Sequence, residues 1–132
     1  MSVKEVRKLV ARFMKGYSIR NPKEHPFVMS IKTKAEQQFI GICGFGPKEE
    51  LGGEAEIAYF IDEAHSNQGY MSQVVERAID YYFSMTNKPY LCALVDEQNI
   101  PSCKLLRKNG FEFYPVEDES KMLKSHYRRY RT

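Results

Sequence analysis

The sequence predicts a single α/β domain of the α+β kind: one mixed, mostly antiparallel sheet with helices on both faces. Three observations carry this. EAEIAYFIDE reads as a strand and is followed by a short loop, a helical pattern and a second apolar strand, YLCALV. That order makes one crossover unit, whose strands are parallel and whose connection is right-handed. On either side of it, strand patterns follow one another directly, as antiparallel neighbours do. The length of 132 residues suits one domain that buries a core without disulfide or metal staples.

The elements follow in order. Ser2 and Glu5 form a capping-box pattern, and Val3, Val6, Leu9, Val10 and Phe13 repeat at helical spacing after it. Gly16 is a stop signal, Asn21-Pro22 a turn, and Pro26 forbids a helix beyond it. PFVMSIKTK places Phe27, Met29 and Ile31 on one strand face, and QFIGICGFGP is a glycine-punctuated apolar strand. GPKEELGGE reads as a loop. In EAEIAYFIDE, Ile57, Tyr59 and Ile61 share one face, and Glu54, Glu56, Ala58, Phe60 and Asp62 share the other. The loop AHSNQGY leads to the amphipathic helix MSQVVERAIDYYFSM, which Asn87-Lys88-Pro89 ends. YLCALV is apolar throughout, as a strand buried on both faces is. IPSCKLLRKNG is a helix with Pro101 in its first turn and Asn109-Gly110 at its end. FEFYPV and MLKSHYRRY read as two closing strands.

Composition excludes several classes. Hydrophobic residues make up 42% and charged residues 28%, which argues against disorder. No apolar run reaches the length of a membrane span. The N-terminus shows no signal-peptide core, so a cytoplasmic protein is expected. The net charge of +3 is too weak and too mixed for a dedicated nucleic-acid binder. Lys121, Lys124, Arg128, Arg129 and Arg131 form a basic C-terminal stretch, either a solvated strand or a patch that meets phosphate. Cys43, Cys92 and Cys103 lie in apolar stretches without a CxxC, as reduced, buried residues. His25, His65 and His126 are far apart, so no metal site is expected.

The crossover unit carries the chemistry. A strand ends near Asp62, a short loop passes through Gly69, and a long helix begins near Met71. A helix N-terminus carries free N–H groups and about half a positive charge, a geometry that binds phosphate. Taken alone, one glycine before a helix more often only turns the chain.

The ordered set EAEIAYFIDE, NQGYM and DEQNIPSCKLLRKNGF resembles the GCN5-related N-acetyltransferase superfamily, and is most similar to its RimJ/RimL-like branch of ribosomal-protein N-terminal acetyltransferases. The resemblance covers roughly residues 27 to 132. The family's Gln/Arg-x-x-Gly-x-Gly/Ala pattern falls on Ser66 to Met71. Its Asn-x-x-Ser and Lys-x-Gly-Phe pattern falls on Asn99, Ser102, Lys108, Gly110 and Phe111.

The resemblance implies acetyl transfer from acetyl-CoA to an amine by direct attack, with the central parallel pair of strands splayed apart. The backbone of Gln68, Gly69, Tyr70 and Met71 would take the CoA pyrophosphate. Ile57, Ala58 and Tyr59 would pair with the pantetheine arm and polarise the thioester carbonyl. Asn99 would hold the pantetheine or the acetyl end. Glu56 would be the general base, with Glu54 in reserve, unless both are merely solvated or ion-paired carboxylates. Ser102 would reprotonate the thiolate, unless it only satisfies backbone donors at its helix start. The tyrosine that many members carry four residues later is Leu106 here, so Tyr59, Tyr70 or Tyr114 would have to substitute. The branch also implies a protein or peptide N-terminal amine as acceptor, with small amines next. Such an α-amino group is roughly 14% neutral at pH 7, against about 0.04% for a lysine, so it needs less help from a base.

Two loop positions depart from the pattern: Ser66 lacks the usual long polar arm, and Met71 stands where a small residue is usual. The family's first strand and first helix have no counterpart before Ser2, so the domain is expected to be truncated at its N-terminus. Phe27 to Thr33 then becomes an exposed sheet edge, which a second copy could cover. These departures keep open a non-catalytic reading, an acyl-CoA-binding or chain-pairing domain. A nucleic-acid module acting through the basic tail is the third reading.

Overall fold

The computed structural model describes residues 2–15, 17, 26–116 and 124–132. Gly16, the Asn21-Pro22 turn, Lys121 and the first two residues of MLKSHYRRY lie outside them. The elements are α1 (Val3–Met14), β1 (Phe27–Lys32), β2 (Phe39–Pro47), β3 (Ala55–Ile61), α2 (Tyr70–Met85), β4 (Tyr90–Val95), α3 (Ile100–Lys108), β5 (Glu112–Phe113) and β6 (Ser125–Tyr130). They form one six-stranded sheet in the order β1-β2-β3-β4-β6-β5, with β1 at one edge. All neighbours are antiparallel except β3 and β4. These two run parallel and meet at one register position, Glu56 with Cys92. The mixed sheet with a splayed parallel pair is thus present as predicted.

The two faces of the sheet are covered differently. α2 buries Val75, Ala78, Ile79 and Tyr82, and α3 buries Cys103 and Leu106. They pack with Phe45, Ile57, Leu91, Ala93 and Tyr127 in one core. On the other face lies α1. Its capping box is closed, Ser2 Oγ accepting from Glu5 N–H at 3.1 Å and Glu5 Oε2 from Ser2 N–H at 3.3 Å. Nevertheless α1 has no buried residue. It reaches the sheet over the glycines of β2: a Cβ on Gly44 would stand 3.0 Å from the Phe13 ring, and one on Gly46 would stand 2.9 Å from the Tyr17 ring just beyond the helix.

Several boundaries differ from the sequence reading. β3 stops at Ile61 because Asp62 turns to cap a 3-10 turn, Glu63–His65, accepting from His65 N–H at 3.0 Å. FEFYPV pairs over Glu112 and Phe113 only. Among the described residues of the basic terminal stretch, Arg128, Arg129 and Arg131 have partners within the chain. Arg131 donates to Lys88, Phe83 and Thr86 carbonyls at 3.1, 2.8 and 2.6 Å and so closes the end of α2. Arg129 donates to the Asn109 carbonyl at 3.0 Å, and Arg128 stacks on Tyr90 and Tyr114. All three cysteines are free and buried, and burial pushes the Cys43 and Cys92 thiols up to about 12. No helix among the described residues is long and apolar enough to cross a membrane.

Candidate active site

The gap in the sheet decides where chemistry can happen. Asp62 N–H donates to Ile40 O at 2.7 Å, and Lys48 N–H to Glu54 O at 3.0 Å. Alternation along β3 then turns the backbone groups of Glu56, Ala58 and Phe60 toward β2, and those of Ile57, Tyr59 and Ile61 toward β4. The β3–β4 ladder ends at the Glu56–Cys92 pair. Past that point the backbone of Tyr59 and Ile61 borders an open gap, while Ala58 is spent on the β2 ladder.

A cleft of about 360 Å³ opens on the α2/α3 side of this gap, lined by Tyr59 and Ile61 from β3, Tyr70 and Met71 from α2, and Asn99 and Ser102 from α3. Gly69 caps α2 with φ +81°, a conformation that favours glycine, and a Cβ there would meet nothing within 4 Å. No side chain caps this helix start, so its first-turn N–H groups remain available to an anion. Such an end fits a pyrophosphate. Gln68 is exposed, donates to Ala64 O at 3.0 Å and does not line the cleft. Ser66 donates to Glu63 O at 2.8 Å. What this loop offers a ligand is therefore mostly backbone.

Two pairs here were not anticipated. Tyr59 Oη and Ser102 Oγ lie 2.6 Å apart, tying β3 to α3 across the cleft. Asn99 caps α3 by accepting from Ser102 N–H at 3.3 Å, which holds the serine in place. Of the three tyrosines considered as substitutes, Tyr59 is the one bonded to Ser102; Tyr70 lines the cleft, and Tyr114 lies against Arg128 and His126 on the opposite face. His65 Nδ1 stands 2.6 Å from Asp62 Oδ1 and also lines the cleft. The i, i+3 spacing of Asp62 and His65 was visible in the sequence; the contact of Tyr59 with Ser102, 43 residues apart, was not.

Glu56 lies on the other side of the sheet, the α1 side. It is 6% exposed. Burial raises its carboxyl to about 7, although Lys48 and Lys124 pull it down; Glu50 adds to the rise. Glu54 shares that face but accepts a hydrogen bond from Tyr90 Oη at 2.9 Å. Of the two carboxylates, the buried one carries the raised pKa, in the range useful to a general base. The gap thus has a cleft on one face and a buried carboxyl group on the other.

Comparison with known proteins agrees with this geometry. The family described as "Acetyltransferase (GNAT) domain" matches residues 1–112. The uncharacterized N-acetyltransferase p20 of Bacillus licheniformis is 37% identical over 83 residues, 63% of this chain and 47% of that protein. The ribosomal-protein-serine acetyltransferase of Escherichia coli is 32% identical over 76 residues, 58% of this chain and 42% of that one. The chain spans about half the length of the curated relatives it matches. Among solved structures, RimL, a ribosomal L7/L12 alpha-N-protein acetyltransferase in complex with coenzyme A, superimposes with a TM-score of 0.67 at 20% identity, over 96% of this chain and 70% of that one. A family match over most of the chain and a shared splayed-sheet fold lead to one conclusion: this chain belongs to the GNAT acetyltransferase family.

Proposed function

We propose that the protein transfers an acetyl group from acetyl-CoA to a primary amine, with the N-terminal amine of a protein or peptide as acceptor. The carrying observation is the break in the β3–β4 ladder, with an uncapped helix start and a cleft that holds Asn99 and Ser102 on one face and a buried glutamate on the other. Acetyl-CoA supplies an already activated thioester, so the protein has to bind, align and manage protons. The first turn of α2 holds the pyrophosphate through Gly69, Tyr70 and Met71, with the Gln68 backbone beside them. Tyr59 N–H, on the open edge of β3, polarises the thioester carbonyl, and Ile57 and Ala58 keep that edge in register. Asn99 holds the pantetheine end with the amide nitrogen that capping leaves over.

The reaction balances on two residues. A C–N bond forms between amine and acetyl carbon, and the C–S bond breaks. The proton lost by the amine goes to the Glu56 carboxylate, and the departing sulfur takes one from Ser102. Tyr59, hydrogen-bonded to Ser102, keeps that hydroxyl oriented and can replace its proton. The names of the ribosomal-protein relatives support the terminal amine as acceptor.

The test is a melting shift with acetyl-CoA combined with thiol release. Millimolar acetyl-CoA should raise Tm, and thiol should appear only when an amine is added. No shift and no thiol with any amine would overturn the reading. A shift without turnover would favour the acyl-CoA-binding module instead.

A further inference from the structure

Among the described residues, four buried side-chain polar atoms have no hydrogen-bond partner: Tyr17 Oη, both ring nitrogens of His126, and Arg128 Nε. Unpaired buried polar groups cost folding free energy and are rare in native structures, so a cluster of them calls for a cause. All four lie on one face of the sheet. Leu94 pairs with His126 and Cys92 with Arg128 on β6, and Cys92 pairs with Glu56 on β3. With side chains alternating along each strand, Glu56, Cys92, Arg128 and His126 point to the same side. Tyr17 joins them, because it packs where a Cβ of Gly46 would stand and Gly46 pairs with Glu56. This is the face opposite the cofactor cleft.

His126 is 5% exposed. Arg128 is fixed in place, its guanidinium 4.0 Å from the Tyr90 ring centroid and 3.5 Å from that of Tyr114. Tyr114 also lies against His126, with centroids 5.0 Å apart. Arg128 Nε–H can only donate, and imidazole donates through one nitrogen. The two N–H groups therefore lack an acceptor oxygen, while the second imidazole nitrogen is itself an acceptor. Glu56 and Arg128 stand in one transverse row with Cys92 between them, two strand spacings or about 10 Å apart, which is the reach of one aminoacyl unit laid across the row.

We propose that His126 and Arg128 are the acceptor-recognition residues, binding the carbonyl oxygen of the residue whose α-amino group Glu56 receives. This rests on the acetyl-transfer reading and deepens it. An α-amino amide brings a carbonyl oxygen a few ångströms from its amine and completes both sets of groups. A polyamine brings only further cationic donors, which leave the orphan N–H groups unpaired and meet the Arg128 charge.

The experiment compares two acceptors at saturating acetyl-CoA: a tetrapeptide amide with a free N-terminus, and spermidine. His126→Phe and Arg128→Met should raise KM for the peptide about tenfold, the effect of losing one hydrogen bond to a buried or charged group. Their kcat/KM for spermidine should stay level or rise. Arg128→Gln, which keeps a donor near Nε, should recover part of the peptide KM. The acetyl-CoA melting shift should be unchanged, which separates a recognition defect from a folding defect. Equal losses on both acceptors, or an unchanged peptide KM, would overturn the proposal while leaving acetyl transfer intact. If the wild-type protein turns over neither acceptor, the transfer reading fails, and calorimetric titration with the peptide still decides: binding lost in both variants supports the proposal, and no binding to the wild type overturns it.

Discussion

The two faces of the sheet are finished to different degrees. On the α2/α3 face, polar groups find partners within the chain: Tyr59 with Ser102, Asn99 with the start of α3, His65 with Asp62, and Tyr127 Oη with Glu97 Oε1 at 3.0 Å. Its helices bury apolar side chains in a continuous core. On the α1 face, the helix has no fully buried residue, and His126, Arg128 and Tyr17 hold polar atoms without partners around a buried Glu56. The proposed placement of the two ligands follows this difference. A cofactor of fixed shape can be held by backbone on a self-sufficient scaffold. A face with unmet hydrogen bonds is complete only when something else occupies it.

Breaking the α1 face at its centre should have the largest effect. Glu56→Gln is expected to lower kcat about a hundredfold at pH 7. The wild-type rate should rise as Glu56 ionises through about 7, and the variant should lack that inflection. Its deficit should shrink above about pH 8, where an α-amino group loses its own proton. A pH–rate profile of both proteins checks this; superimposable profiles would remove Glu56 from proton transfer. The same variant has a stability signature. The carboxyl's ordinary value is 4.5, and burial raises it to about 7 in the folded chain. Its contribution is thus present below about 4.5 and lost as pH rises through about 7, by up to about 3 kcal/mol. The neutral variant should not lose stability over that window in denaturant titrations.

The cofactor face should respond in a different currency. Gly69→Val places a branched side chain at φ +81° and over the open helix start, so the acetyl-CoA Kd should rise at least about tenfold with little change elsewhere. Unaltered affinity by calorimetry would mean that the pyrophosphate sits elsewhere. Tyr59→Phe removes the partner of Ser102 and should lower kcat by about tenfold at unchanged acetyl-CoA KM. Equal loss in both parameters would make the tyrosine a binding group instead.

A stability comparison, which leaves the chemistry untouched, tests the packing contrast itself. Leu106→Ala on α3 removes a side chain that is 0% exposed and should cost about 2–5 kcal/mol by urea unfolding. Val3→Ala on α1, where the residue is 63% exposed, should stay within about 0.5 kcal/mol. A large loss at Val3 would show that α1 is covered in solution.

Much of this was readable from the chain alone. The capping box at Ser2 and Glu5, the strand YLCALV, the helix read from Met71 and the helix with Pro101 in its first turn are local features, set by neighbours within a few residues. FEFYPV carried a strand pattern but pairs over two residues, since pairing depends on a partner and not on pattern. Glu56 stood out as a candidate base, yet nothing near it in sequence announced that it would be buried.

Sequence by itself determined the order of elements, the crossover, the glycine before α2 and the residue types at the family positions, because periodicity, capping and turn chemistry act over short distances. Tertiary structure alone decided that Tyr59 meets Ser102, that Glu54 is engaged by Tyr90 while Glu56 is buried, and that both ring nitrogens of His126 and the Nε of Arg128 lie on Glu56's face without hydrogen-bond partners. Those outcomes depend on which strands become neighbours and where the ladder stops, and on the desolvation and hydrogen-bond supply that follow from that packing.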